Sequence, residues 1–231
     1  MEAAYGRRAL GAKALTGVGV LLASARGAAA QPRPPGDGGP RRARTLRIPM
    51  LGDSITAGFG LARGEGPPAQ LERILRAEGR DLRILDAGVS GDTTAGGRAR
   101  LDWTLADTPD GMIVALGGND GLRGVEPRVT RANLADILDR LAARRIPALL
   151  AGMLAPPNLG AEYGREFAAV FTSLADERPD VVFYPFLLEG VAADPSLNLP
   201  DRIHPNAAGA AEIARRMAPF VRRLIARIEA G

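Results

Sequence analysis

The sequence contains no cysteine. That excludes disulfides, thiolate metal sites and a cysteine nucleophile together. It carries one histidine, His204, among 231 residues. A site needing two imidazole ligands is therefore excluded, and any step that needs an imidazole base must use His204. Aromatic residues make up only 4%, so the core must be built mainly from Leu, Ile, Val and Ala. Two nucleotide-binding signatures are also missing. There is no G-x-x-x-x-G-K-[ST], and no G-x-G-x-x-G follows the first apolar run.

Acidic excess is lacking overall: the net charge is +4 and the pI is about 10.2. The position of that charge matters more than its sign. Residues 1–30 carry Arg7, Arg8, Lys13 and Arg26 against Glu2, and residues 31–47 carry five arginines against Asp37. The remainder is net acidic. A nucleic-acid partner is not expected, because its binding stripe should lie on the folded body.

The first 30 residues read as an export signal. A basic start is followed by a short apolar stretch, 14–25, and by Ala28-Ala29-Ala30, which suits a signal peptidase. The apolar stretch is too short for an ordinary membrane span, and no integral span is expected in the mature form. The other reading of this segment is an Ala/Gly-rich tail with no address. Residues 31–44, rich in Pro, Gly and Arg, read as a flexible linker. The folded domain is expected over 45–231, in the periplasm or outside the cell.

Within 45–231, five apolar runs recur: 46–51, 83–89, 112–116, 148–154 and 181–186. Most are continuous rather than alternating, as in strands covered on both faces. Helical spacing separates them. Leu71, Ile74 and Leu75 mark one helix. Leu134, Ile137, Leu138 and Leu141 mark another, with Thr130 as its cap. Phe167, Val170, Phe171 and Leu174 mark a third, and Ile213 to Ile228 the last. Residues 93–107 read as helical despite Gly96 and Gly97. This alternation predicts an α/β fold, a parallel five-stranded sheet between helix layers. Ligands bind such sheets beyond the carboxyl ends of the strands.

Polar, Gly-rich clusters fall there. Gly52-Asp53-Ser54-Ile55-Thr56 follows the first run. Gly88-Val89-Ser90-Gly91-Asp92-Thr93 closes the second, and Gly117-Gly118-Asn119-Asp120 follows the third. Asp201-Arg202-Ile203-His204-Pro205 precedes the last helix. Each has a bland reading: Ser54 as a helix cap, Gly91 and Asn119 as turn residues, His204 as a surface residue beside an aspartate. Each also has a chemical reading. Ser54 becomes a nucleophile only if a base takes its proton. His204 is that base if Asp201 accepts from Nδ1–H and fixes the tautomer. The N–H groups of Ser54 and Gly91 and the amide of Asn119 would then form an oxyanion hole. Pro205 suits the first turn of the last helix and keeps His204 on a loop. Asp53 and Asp120 read as structural, holding loops through backbone N–H groups.

Together the four clusters resemble the SGNH (GDSL-type) hydrolases. The likeness runs through Ser54 in GDSIT, Gly91 in SGDTT, Asn119 in GGND and His204 in DRIHPN, over about residues 45–226. It is nearest to bacterial periplasmic thioesterase I/lysophospholipase L1 enzymes and related arylesterases, which the run ALGGNDGLRG also resembles. The resemblance implies a flavodoxin-like three-layer α/β/α sandwich and a triad of Ser54, His204 and Asp201. It further implies an oxyanion hole from Ser54, Gly91 and Asn119, with no metal or organic cofactor. Esters are the expected substrates: aryl and short-chain esters or lysophospholipids first, then acyl thioesters. The alternatives are a carbohydrate acetylesterase and a non-catalytic binding protein on the same fold. Trp103, Phe59, Tyr163 and Phe186 are the aromatics available to stack on a sugar. The segment 155–163, rich in Pro and Gly, is expected to shape the acyl pocket.

Overall fold

The computed structural model describes residues 45–231, so the segments expected to be an export signal and a linker lie outside the described residues. Five strands run in parallel: β1 (Leu46–Gly52), β2 (Leu82–Gly88), β3 (Met112–Ala115), β4 (Ala148–Ala151) and β5 (Val182–Tyr184), in the order β2-β1-β3-β4-β5. Their apolar runs are continuous because both faces are covered. Every residue of β3 and β4 is buried. Pro49 stands inside β1, a central strand, without breaking it. The Arg47 N–H and carbonyl on that side bond to Asp110, and pairing with β3 begins only at Met50. The missing N–H of Pro49 therefore falls just before the ladder.

Helices fill both faces. They are α1 (Pro67–Ala77), α2 (Thr94–Ala99), α3 (Leu101–Leu105), α4 (Gly118–Leu122), α5 (Pro127–Ala143), α6 (Ala161–Glu177) and α7 (Ala207–Ala230). One group packs α1 on α7; the other packs α5 on α6 and α2. The heptad-like apolar positions read from the sequence are the buried stripes: Leu134, Ile137, Leu138 and Leu141 in α5, and Phe167, Val170, Phe171 and Leu174 in α6. The expected α/β sandwich with a five-stranded parallel sheet is the observed one.

Two local expectations are corrected. Thr130 is not the cap of α5. That helix starts earlier, at Pro127 behind Glu126, and Thr130 lies inside it, fully buried. A proline at the first helical position favours the earlier start. Pro205 is not in the first turn of α7. Asn206 caps that helix by accepting the Gly209 N–H, and Pro205 bridges back to Asn198.

The strand order reverses direction between β1 and β3, on either side of which connections leave in opposite senses. Open sheets of this type place their binding crevice at that point. The residues after β1 and after β3 are Ser54 and Asn119.

Candidate active site

Gly52 ends β1 where the chain folds sharply into a turn over 54–60. A Cβ at Gly52 would overlap Thr56 Oγ1, so only glycine lets the turn close this tightly. The turn is held by Ala57 N–H to the Asp53 carbonyl, 3.0 Å, and Phe59 N–H to the Ser54 carbonyl, 3.0 Å. Asp53 Oδ1 accepts the Ile55 N–H at 3.0 Å. Ser54 is thus carried on a turn, not as a helix cap.

His204 reaches this serine from 150 residues away, with Nε2 2.9 Å from Ser54 Oγ. Its other nitrogen, Nδ1, lies 2.7 Å from Asp201 Oδ2. The second oxygen of Asp201 accepts the N–H groups of Ile203 (2.9 Å) and His204 (3.0 Å). Those two N–H groups and the imidazole hold the Asp201 carboxyl down to about 2. It is therefore an ionised acceptor at neutral pH. The bonded proton belongs on Nδ1, and Nε2 is left to accept from the serine hydroxyl. The loop carrying these residues is pinned to the segment before it. Leu199 N–H donates to the His204 carbonyl at 2.7 Å, and Arg202 N–H to the Leu199 carbonyl at 2.9 Å. Phe59 packs on the imidazole with ring centroids 4.4 Å apart.

The remaining clusters are tied to this pair by direct bonds. Val89 N–H donates to the Gly52 carbonyl at 3.1 Å. Arg100 bonds both that carbonyl (2.8 Å) and Asp92 (2.6 Å). Asn119 Nδ2 donates to the Asp92 carbonyl at 2.9 Å and stands 3.5 Å from Asp53 Oδ2. Asn119 is thereby held beside the loop of Gly91, in the first turn of α4. Gly91 has φ +83, a left-handed conformation that suits glycine. Its carbonyl accepts from Arg123 at 2.9 Å. The N–H groups of Ser54 and Gly91 have no acceptor among the described residues. These two backbone donors are free, and Asn119 Nδ2 is directed at two acceptors, closely at the Asp92 carbonyl and at longer range at Asp53.

The two other aspartates do different work. Asp53 is 2% exposed. Burial pushes its carboxyl up to about 6, against the opposing pull of the Ile55 N–H and His204. Asp120 is 1% exposed. It accepts the Thr94 N–H (2.8 Å), the Thr94 hydroxyl and the Thr130 hydroxyl (3.2 Å), while Asn133 bonds Thr94 in turn.

A cleft of about 580 Å³ opens beside Ser54. Its walls include Ile55, Leu122, Leu154, Pro157, Phe186 and Ile203, and Gly118 and Arg202 also line it. Of the aromatics singled out in the sequence, Phe59 and Phe186 are at the site. Tyr163 stacks on Phe167 and donates to the Val125 carbonyl. Trp103 is exposed in a separate hollow with Arg47, Pro49 and Pro109. Among the described residues no group of three or more His, Asp and Glu side chains forms a metal site.

Sequence reasoning missed the Phe59 contact with His204, the two arginine ties and the bond from Asn119 to the Asp92 carbonyl. None has a local signal. Each joins residues that are brought together only by the sheet.

The sequence model of the GDSL-like lipase/acylhydrolase family matches residues 50–212. The chain is 38% identical over 184 residues to esterase TesA of Pseudomonas aeruginosa, covering 79% of this chain and 90% of that protein. It is 36% identical over 186 residues to thioesterase 1/protease 1/lysophospholipase L1 of Escherichia coli K12, covering 80% and 88%. The crystal structure of AlinE4, an SGNH-hydrolase family esterase, superposes with a TM-score of 0.66 at 47% identity, covering 78% of this chain and 96% of that one.

Proposed function

The chain belongs to the GDSL-like lipase/acylhydrolase family and is an ester hydrolase; on that premise we propose that Ser54 is its nucleophile, served by His204 and Asp201. The observation that carries this is the 2.9 Å contact of Ser54 Oγ with His204 Nε2, across 150 residues of sequence. Ser54 Oγ attacks the ester carbonyl as Nε2 takes its proton. The resulting imidazolium is stabilised by the ionised Asp201 and gives the proton to the leaving alcohol or thiol. Water, deprotonated by His204, then releases the acid from the acyl-enzyme on Ser54. The negative oxygen of each tetrahedral intermediate is met by the N–H groups of Ser54 and Gly91. Asn119 supplies the amide hydrogen that is otherwise directed, at 3.5 Å, toward Asp53. Donors of this kind contribute about 3–4 kcal/mol each to the transition state.

The apolar cleft supports esters with an aliphatic or aryl acyl group. Aryl and short-chain esters and lysophospholipids rank first, and acyl thioesters follow, in keeping with the thioesterase and lysophospholipase named above. The scarcity of aromatics at the site gives a carbohydrate acetylesterase less support. A binding protein without turnover has no use for the aligned imidazole. The composition of residues 1–30 supports export to the periplasm or beyond. Among the described residues no helix is long and apolar enough to cross a membrane.

The test is a series of 4-nitrophenyl acyl esters of rising chain length. Each methylene entering the cleft should raise kcat/KM about three- to fourfold, from ~0.8 kcal/mol of burial, until the cleft is filled. Ser54→Ala should remove the turnover. Hydrolysis that persists in that variant would sink the reading.

A further inference from the structure

The loop that carries the imidazole contains a residue that the chemistry above does not use. Arg202 stands between Asp201 and Ile203 with φ +59, a left-handed conformation that a long side chain rarely adopts. The cause is local. Asp201 Oδ1 gathers the N–H groups of Ile203 and His204, and the Arg202 N–H is tied back to the Leu199 carbonyl. The chain must therefore turn at this point. Glycine would make the turn without strain, yet an arginine occupies it. Strain kept beside a reacting group points to a use for the side chain.

Its surroundings indicate that use. The neighbouring arginines of the site are committed: Arg100 to Asp92 and the Gly52 carbonyl, Arg123 to the Gly91 carbonyl. The guanidinium of Arg202 has no hydrogen bond or ion pair to any described residue. It lines the apolar cleft beside Ser54. The other charged residue on that wall, Asp194, already accepts the Ser196 N–H at 2.8 Å and its hydroxyl at 2.6 Å. The adjacent Asp201 is taken up by His204. The cleft thus combines a long apolar wall with one uncommitted guanidinium, a group whose planar fork of donors matches carboxylate, phosphate and sulfonate oxygens.

We propose that Arg202 is a specificity residue that selects esters pairing an apolar chain with an anionic group. This rests on the reading of the cleft as the ester-binding site. The anion sits at the far end of the acyl chain or on the leaving group, and the two placements can be told apart.

The experiment measures kcat/KM of the full chain on two pairs of esters. The first compares the 4-nitrophenyl monoester of octanedioic acid with 4-nitrophenyl octanoate, placing the anion on the acyl side. The second compares 4-octanoyloxybenzenesulfonate with 4-nitrophenyl octanoate, placing it on the leaving group. The readout is the anionic-to-neutral ratio in each variant, so intrinsic reactivity cancels. In Arg202→Gly and Arg202→Gln the ratio should fall roughly three- to fivefold in one of the pairs, the upper scale of a solvent-accessible ion pair. Arg202→Lys should keep most of it, and added salt should shrink the wild-type ratio toward that of Arg202→Gly. The melting temperature of Arg202→Gly should not drop, because glycine accepts this φ. Ratios unchanged within about twofold in both pairs, with neutral esters still hydrolysed by the wild type, would overturn the inference alone. A wild type inert toward the neutral esters would overturn the esterase reading and this inference with it.

Discussion

Two aspartate-centred clusters lie a few residues from the proposed reacting atoms, and they are built on opposite plans. Asp201 has a side chain 38% exposed and spends one oxygen on the imidazole. Across that imidazole lies Ser54, whose neighbour Ile55 lines the cleft. Asp120 is 1% exposed, and its two oxygens accept three hydrogen bonds from Thr94 and Thr130. In the first cluster a charge is kept near solvent, where, in the proposed mechanism, it steadies a positive charge that comes and goes. In the second, a buried carboxyl is hydrogen-bonded so fully that it ties α2 and α5 to the start of α4. A carboxylate left unpaired at that depth would be costly. Aspartates in two motifs of the same site can therefore answer to different demands, the proposed chemistry in one case and loop position in the other.

Substitutions should separate the two plans. His204→Ala should lower kcat by roughly 10⁴-fold or more, with the melting temperature nearly unchanged because the ring contributes little to the core. A large loss of stability would blur the contrast and put His204 in the structural class. Asn119→Ala stands between the clusters, since its amide touches both the Asp92 carbonyl and the neighbourhood of Asp53. It should lower kcat by roughly 10²–10³-fold with little change in KM. An effect confined to KM would make it a substrate-positioning group. Asp120→Ala should behave in the reverse way to His204→Ala. It leaves a buried N–H and two hydroxyls without their acceptor, and should cost roughly 3 kcal/mol in urea denaturation. Wild-type stability in that variant would show that the buried network holds nothing.

The smallest predicted effect concerns Asp53, which belongs to neither plan. Its folded carboxyl is raised from 3.8 to about 6, so the folded state holds the proton more tightly than the unfolded chain does. The stability this adds is complete below the unfolded value, and it is lost as pH rises through about 6. Wild-type stability should fall relative to Asp53→Asn between pH 4 and pH 7, by on the order of 3 kcal/mol at most. Parallel stability profiles for the two proteins would contradict it.

Much of the fold was legible because it rests on local pattern. The continuous apolar runs became the five strands, and the i, i+3, i+4 positions of α5 and α6 became buried stripes. The four polar clusters were legible too, since parallel sheets place ligand-binding residues after their strands. What was not legible depends on pairs distant in sequence. Thr130 reads as a cap because threonine before an apolar stripe usually is one. Its hydroxyl turns instead to Asp120, ten residues back. Pro205 reads as a helix start, but Asn206 has a side-chain oxygen for the Gly209 N–H and takes the cap. The stacking of Phe59 on His204 and the left-handed turn at Arg202 arise from how the last loop docks on the first, which no window of sequence contains.

All of this returns to one contact, the imidazole nitrogen on the serine hydroxyl. The direct test is to treat the protein with a fluorophosphonate and map the adduct by mass spectrometry. A single phosphonyl group on Ser54, formed quickly in the wild type and scarcely at all in His204→Ala, is the predicted result. Labelling at another residue, or at Ser54 with equal speed in both proteins, would contradict it.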